Sequence, residues 1–317
     1  MGNSNGYERP IAYLPGAQRM RRNAAAAGRG EAAGRAGRRA TIIAARRVPR
    51  RIGSGNPMDI DLERFGGTAR LYGQAALARF AAAHVCVVGV GGVGSWAAEA
   101  LARSGVGELT LIDMDDACVT NTNRQLQALD GDWGRPKVAL LAERFRRISP
   151  GCRVHAVEEF VARENLQQLV TPAMHHVIDA IDMAGTKAAL IAHCKRNKIS
   201  VVTVGAAGGQ RDPTQVRVVD LNRTRNDALA AKVRSILRRH YGWSRNPQRH
   251  YSVPCVHSLE QMRYPSSDGG VSCAKPEAGE LRTRLDCASG FGAAMTVTAT
   301  FGMVAVARVL ERLAEGD

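Results

Sequence analysis

The six residues Gly89-Val90-Gly91-Gly92-Val93-Gly94 constrain this chain more than any other feature. They follow an apolar β-branched run, His84–Val88 (HVCVV), and precede an alanine-rich stretch, Ser95–Ser104 (SWAAEALARS). A predicted strand that ends in glycines and turns directly into a predicted helix is the setting in which a Gly-x-Gly-x-x-Gly turn binds phosphate. Glycines let the turn tighten and let N–H groups approach phosphate oxygens. The helix N-terminus adds further donors and a favourable dipole. Asp113 closes the next predicted strand, Leu109–Asp113, nineteen residues past Gly94; a carboxylate there accepts ribose hydroxyls. Close strand–helix packing alone would also explain the glycines, but strand, helix and acid together favour a nucleotide.

The same alternation continues along the chain. Lys137–Ile148 reads as a helix with charges on one face and Arg153–Val157 as a strand. Val177–Asp179 precedes a helix over Thr186–Asn197, and Ile199–Val204 and Gln215–Leu221 are extended. This order predicts an α/β, Rossmann-like, mostly parallel sheet with helices on both faces. Residues 222–285 differ: polar, basic and loop-rich, with one helix at Asp227–His240, they read as a substrate-contacting insertion. An apolar C-terminal helix within 287–313 closes the chain. The uncharged run from Cys287 to Ala307 is long enough to span a bilayer, but glycines and threonines dilute it and it has no leucine. It reads as a core or subunit-interface helix in preference to a membrane anchor.

The net charge of +15 invites a nucleic-acid reading, so its location matters. Residues 1–57 hold twelve arginines, no lysine, and only Glu8 and Glu31 as acids. Two thirds of the basicity is therefore in a tail of Ala, Gly and Arg that lacks the apolar residues to offset its ordering entropy, and disorder is expected there. Three readings compete: an organelle transit peptide, a basic arm on nucleic acid, and translated upstream sequence ahead of a true start at Met58. Six lysines against 38 arginines suggest a GC-rich genome, which favours the last. Domain boundaries of 1–57 and 58–317 follow. The seven cysteines are scattered without a CxxC, which argues against a disulfide framework and a zinc site and for a reducing cytoplasm.

Which nucleotide binds is decided after Asp113. Asp115, Asn121, Arg124, Gln125 and Lys137 form a polar and cationic set that a nicotinamide site does not need. A triphosphate does: Arg124 and Lys137 suit phosphates and the charge on departing pyrophosphate. Asp179 and Asp182, in VIDAID, sit at the carboxyl end of a predicted strand, where one acid would hold Mg²⁺. Helix capping is the plainer reading of both acids, and a solvated loop is that of Arg124.

GVGGVG, LIDMDD, NTNRQ, Lys137 and VIDAID together resemble the ThiF/MoeB-type adenylating enzymes, relatives of the ubiquitin-activating enzymes. RFGGTARLYG (64–73), GVGSWAAEALARSG (92–105), KAALIAHCKRNKI (187–199), GGQRDPTQ (208–215), YPSSDG (264–269) and DCASGFGAAMTVTATFG (286–302) narrow the resemblance to the tRNA threonylcarbamoyladenosine dehydratases. The resemblance implies that Gly89, Gly91, Gly92 and Gly94 line the phosphates and that Asp113 holds the ribose. Asp115, Asn121, Arg124, Gln125 and Lys137 would contact ATP, and Asp182, more than Asp179, would bind Mg²⁺. It implies Arg124, Lys137 and Asp182 as catalytic, a homodimer with 287–310 near its interface, and a sulfur-transfer protein as a further partner. Zinc is not expected. An arginine that relatives send across the dimer has no clear counterpart: Arg64 aligns, Gly67 stands where the second arginine should be, and Arg70 is a candidate substitute.

The implied substrate is the threonyl carboxylate of threonylcarbamoyladenosine beside a tRNA anticodon. A basic stretch suits RNA: Arg223, Arg225, Lys232, Arg234, Arg238, Arg239, Arg245 and Arg249, interleaved with Tyr241, Trp243 and Tyr251. Arg234, Arg238 and Arg239 are the candidate RNA contacts; a solvated helix is the alternative. Cys255, Cys273 and Cys287 read as structural, because intramolecular ring closure needs no enzyme nucleophile; Cys255, near His257, is the one exception to weigh. Two other functions compete: activation of a small sulfur-carrier or ubiquitin-like protein, and NAD-dependent oxidoreduction.

Overall fold

The computed structural model describes residues 61–266, 269–274 and 292–316. The 1–57 tail, Met58 and Cys287 lie outside the described residues, as do 287–291 of the apolar run. Two helices, α1 (Leu62–Tyr72) and α2 (Gln74–Ala82), lead into β1 (His84–Val88) and α3 (Gly94–Arg103). Then come β2 (Glu108–Ile112), α4 (Lys137–Ile148), β3 (Arg153–Val157), the short α5 (Leu166–Leu169), β4 (His176–Asp179) and α6 (Ala184–Arg196). The chain continues with β5 (Ser200–Val204), β6 (Val216–Asp220), α7 (Ala228–His240), β7 (Pro254–Ser258), a small hairpin of β8 (Tyr264–Pro265) and β9 (Val271–Ser272), and α8 (Met295–Glu315).

Seven strands form one sheet in the order β3-β2-β1-β4-β5-β7-β6, parallel throughout except for β6, which pairs antiparallel with β7. Successive side chains of a strand point to opposite faces, and β1 shows the consequence. Val85 and Val87 join a core with Leu77, Leu101, Phe301 and Val309 of α2, α3 and α8. Cys86 and Val88 join another with Leu190, Ile191 and Val233 of α6 and α7. The expected mostly parallel sheet, covered on both faces, is what forms.

From β1 the chain moves outward through β2 to β3, then returns to place β4 on the other side of β1. The reversal makes a crevice at the carboxyl ends of β1 and β4, the usual ligand position in an open α/β sheet. The glycine turn lies there.

Two expectations shift. Residues 222–285 include β7, which sits inside the main sheet between β5 and β6. Its sequence PCVHS hides this, because proline opens it and His257 and Ser258 occupy buried positions; proline is tolerated as the first residue of a strand. The C-terminal helix begins at Met295, later than the apolar run, and buries Val297, Phe301, Ala305, Val309 and Leu313 at four-residue spacing. No helix of the described residues is long and apolar enough to cross a membrane.

Candidate active site

The turn after β1 is held by contact closer than a side chain permits. A Cβ on Gly94 would lie 1.8 Å from the carbonyl oxygen of Gly89, and Gly89 itself is left-handed with φ 83°. No side chain caps α3; its Ser95 N–H turns back onto Gly91 O at 3.2 Å, and the start of the helix lies at the crevice. Asp113 fixes the turn: its Oδ2 accepts from the Val90 N–H at 2.7 Å and its Oδ1 from the Asp115 N–H at 2.9 Å. Burial raises the Asp113 pKa above the ordinary carboxylate value, against the pull of Lys137. Each oxygen keeps a lone pair for a ribose hydroxyl.

The segment from Asp113 to Lys137 folds back over the turn. Lys137 opens α4, is 4% exposed, and places Nζ 2.7 Å from Asp115 Oδ2. Its backbone N–H donates to the Asp115 carbonyl at 3.0 Å. Arg124 lies on Gly92, its Cγ 3.2 Å from where a Cβ would stand. One Arg124 nitrogen donates to Thr120 O at 2.9 Å and to Asn123 Oδ1 at 3.0 Å, and Trp96 Nε1 donates to the Arg124 carbonyl. Gln125 is buried beside Gly91 and accepts from Gln127, which also donates to Val90 O at 3.1 Å. Asn121 stands one step back: buried, it accepts from the Cys118 N–H and closes the turn that carries Arg124. The glycines, Asp113, Asp115, Arg124, Gln125 and Lys137 thus converge on one crevice.

The two acids of VIDAID part company. Asp179 is fully buried; Thr203 Oγ1 donates to its Oδ2 at 2.7 Å, and Lys187 Nζ lies 3.0 Å from its Oδ1. Burial pushes its pKa up, opposed chiefly by Lys187. Asp182 is exposed and makes no hydrogen bond or ion pair among the described residues. Lys187 is the residue that sequence reasoning left without a role. It also donates to the carbonyls of Asp179 and Ile181, at 3.0 and 2.9 Å, and so holds the turn that presents Asp182. Its one signal was a lysine on an otherwise apolar helix face eight residues after the strand-ending acid.

The basic stretch divides as well. Arg234 turns inward, half-buried, onto Thr224 Oγ1 and Leu221 O. Arg238 donates to Tyr251 Oη at 3.0 Å and to Asn222 Oδ1 at 2.7 Å. Arg239 is exposed and makes no such bond among the described residues. Tyr251 is buried and meets Trp243 edge-on at 4.7 Å, while Tyr241 packs under Arg163. Tyr251 is closed off within the second core, and Tyr241 and Trp243 pack partly against it. The reason is α7's own register, which buries Ala230, Val233 and Leu237 and carries residues 234 and 238 along the same side.

Cys255 is 1% exposed on β7, and burial pushes its thiol pKa far up; His257 directs Nδ1 to Arg225 O. A nucleophilic cysteine needs accessible thiolate, so Cys255 does not fit that role. Burial holds Cys152 up at about 11 as well, whereas Cys273 is exposed. On α1, Arg64 pairs with Asp61 at 2.8 Å, and Arg70 is exposed without a polar partner among the described residues.

The chain is 57% identical over 251 residues to the tRNA threonylcarbamoyladenosine dehydratase of Escherichia coli (strain K12), covering 79% of this chain and 93% of that protein. The enzyme of the same name from Haemophilus influenzae is 51% identical over the same shares. The crystal structure of the E. coli dehydratase TcdA in complex with ATP superposes with a TM-score of 0.73 at 50% identity, covering 83% of this chain and 98% of that one. The ThiF family matches residues 67–315, and the chain belongs to that family.

Proposed function

We propose that this chain uses ATP to adenylate the threonyl carboxylate of N6-threonylcarbamoyladenosine in tRNA, after which the nucleoside cyclises with net loss of water. One joint observation carries the reading: the uncapped glycine turn, Asp113, Arg124 and Lys137 share one crevice in a chain 57% identical to a dehydratase of that name. In the first step a carboxylate oxygen attacks the α-phosphorus, the α–β bond breaks and pyrophosphate leaves. In the second, the neighbouring carbamoyl group attacks the activated carbonyl, the ring closes and AMP leaves.

The crevice suits the first step. Gly89, Gly91, Gly92 and Gly94 and the start of α3 take the phosphates, and Asp113 takes the ribose. Lys137 uses one N–H on Asp115 and keeps two, and Arg124 keeps donors beyond its internal bonds. Both stabilise charge that grows as pyrophosphate departs. Asn121 and Gln125 keep this segment in place. Asp182 fits a Mg²⁺ ligand, because such sites combine one or two carboxylates with substrate phosphates and water. The ion would neutralise phosphate charge there.

For the tRNA, the exposed Arg239 and Arg225 are the contacts we favour, with Arg234 and Arg238 shaping the surface from beneath. A homodimer belongs to the same proposal: Met295 and Met303 are exposed on α8, and Arg70 is available to a neighbouring site. So does a cytoplasmic location, and a boundary near Met58 between a tail and the adenylating domain.

Mass spectrometry of tRNA nucleosides from cells lacking the gene tests the function. Complementation should restore the cyclised nucleoside. Restoration failing with a well-expressed wild-type chain would return the activity to the protein-activating class. Asp182→Ala should keep the fold and lose more than nine tenths of turnover, a barrier change above about 1.4 kcal/mol.

A further inference from the structure

The amino-terminal end of the parallel strands, opposite the glycine turn, holds a basic cavity that nucleotide chemistry does not use. It measures 340 Å³ and lies where β4, β5 and β7 begin, against the last turns of α8. Lys195, Lys198, Arg308 and Arg312 line it, and no acid does. Glu311, on the adjoining groove, sits 2.9 Å from Arg308, and Glu315 lies 4.0 Å from Arg312. Lys195 Nζ donates to Ser252 O at 3.2 Å. The Lys198 ammonium has no partner among the described residues.

His176 makes this more than a charged surface. It lines the cavity, is 3% exposed, and neither ring nitrogen has a hydrogen-bond partner. Buried polar groups are almost always paired, because leaving one unpaired forfeits its solvation. Burial lowers its pKa to about 4, helped by His175 and Arg312, so at neutral pH the ring offers one N–H donor and one lone pair. Lys198 (φ 58°) and Ser252 (φ 52°) also line the cavity, and both hold left-handed backbone that non-glycine residues adopt at a cost.

We propose that this cavity is a second oxyanion site, built for a phosphate group and distinct from the nucleotide crevice. Lys198, Arg308 and Arg312 supply the charge and His176 a buried N–H. Two arginines suit the forked, multiply charged geometry of phosphate better than a single halide or carboxylate. The site lies roughly 10 Å from Asp179 along β4, at about 3.3 Å per strand residue. Free phosphate and an RNA backbone phosphate present the same chemistry to it.

The test titrates inorganic phosphate calorimetrically into the full chain with the nucleotide site filled by a non-hydrolysable ATP analogue. Saturable one-site binding is expected, weakened at least tenfold in His176→Phe and in the pair Lys198→Asn/Arg308→Gln, with analogue affinity unchanged. Asparagine is chosen because it tolerates left-handed backbone. Absence of saturable binding, variants that bind like wild type, or loss of analogue affinity would each overturn the proposal. Should His176→Phe fail to fold, the surface pair decides alone. The source follows from tRNA affinity of that pair: a tenfold loss assigns an RNA backbone phosphate, and an unchanged value with phosphate binding lost assigns a free anion.

Discussion

Helices α3 and α7 start at the same carboxyl end of the parallel strands from similar parts, but only α7 carries its own cap. At α7, Asp227 Oδ1 accepts from the Ala230 N–H at 2.8 Å, and its Oδ2 accepts from the Ala206 N–H at 3.0 Å. Gly205 leaves room for that carboxylate, since a Cβ there would sit 1.7 Å from Oδ2. At α3 no side chain caps the helix, and Gly94 makes room for backbone instead, since a Cβ there would sit 1.8 Å from the carbonyl oxygen of Gly89. A helix begins with unpaired N–H groups that something must satisfy. In α7 the chain supplies the anion, and in α3 the place is left for a ligand. Each glycine therefore says only that neighbouring atoms come close, a side chain at Gly205 and backbone at Gly94; the capping acid is what separates the two helix starts.

The sharpest test puts a methyl group at each glycine. Gly94→Ala drives Cβ into the backbone oxygen of Gly89, which cannot swing away. We expect a loss of about 3 kcal/mol or more and no rise in Tm on adding ATP. Gly205→Ala meets the end of a side chain, which can rotate, so about 2 kcal/mol is expected, with ATP protection retained. Thermal denaturation with and without ATP reads both. ATP protection surviving in Gly94→Ala would break the comparison, because bound ligand stabilises only a site that forms.

Behind α3's crevice, Asp179 and Lys187 extend the contrast between closed and open groups. Lys187→Met strands a buried carboxyl, and a loss of about 3 kcal/mol is expected at pH 7. The sign of the pH dependence follows from Asp179's raised pKa. Between its unfolded value and the raised folded one, the native state holds the proton more tightly, so stability falls as pH rises. Removing Lys187 removes the main opposing charge and should steepen that fall above about pH 4. Urea melts of the variant at pH 4.5 and 7.5 check it. The double variant with Asp179→Asn should flatten the profile; a persistent slope would place the titrating group elsewhere.

A smaller effect is expected at the cap itself. Asp227→Ala should cost about 1 to 2 kcal/mol, the range for lost N-caps, and leave ATP affinity unchanged. A matching loss of ATP affinity would show that the two helix starts are coupled.

The β1–α3 half of the molecule was legible because its function needs local sequence: four glycines, a strand-ending acid, a short polar segment. Even the bounds of β1, β3 and α4 follow from pattern. What was illegible depends on partners far away in sequence. β7 looked like loop because its pairing with β5 and β6, not its composition, makes it a strand. Asp179 and Asp182 are three residues apart and equally acidic, and only Lys187 and Thr203 separate the buried one from the exposed one. Arginines on α7 read as a single basic face until the packing of Val233 and Leu237 fixes which of them turn inward.

That last division gives the mildest and most discriminating prediction. Arg238 is tied to Tyr251 and Asn222, whereas Arg239, one residue on, reaches solvent. Phosphate contacts supply the salt-dependent part of RNA affinity. Arg239→Gln should therefore weaken tRNA binding a few-fold and flatten the slope of log affinity against log salt by roughly 0.7 to 0.9, the amount for one lost phosphate contact. Its Tm and ATP affinity should not move. Arg238→Gln should do the reverse, lowering Tm by removing two internal hydrogen bonds and leaving the salt slope alone. Binding across a salt series for both variants, with melting curves beside it, separates the roles. If Arg239→Gln leaves the slope unchanged while Arg238→Gln flattens it, the inward arginine releases its partners to meet RNA, and the surface drawn by the packing of α7 is not the surface that binds.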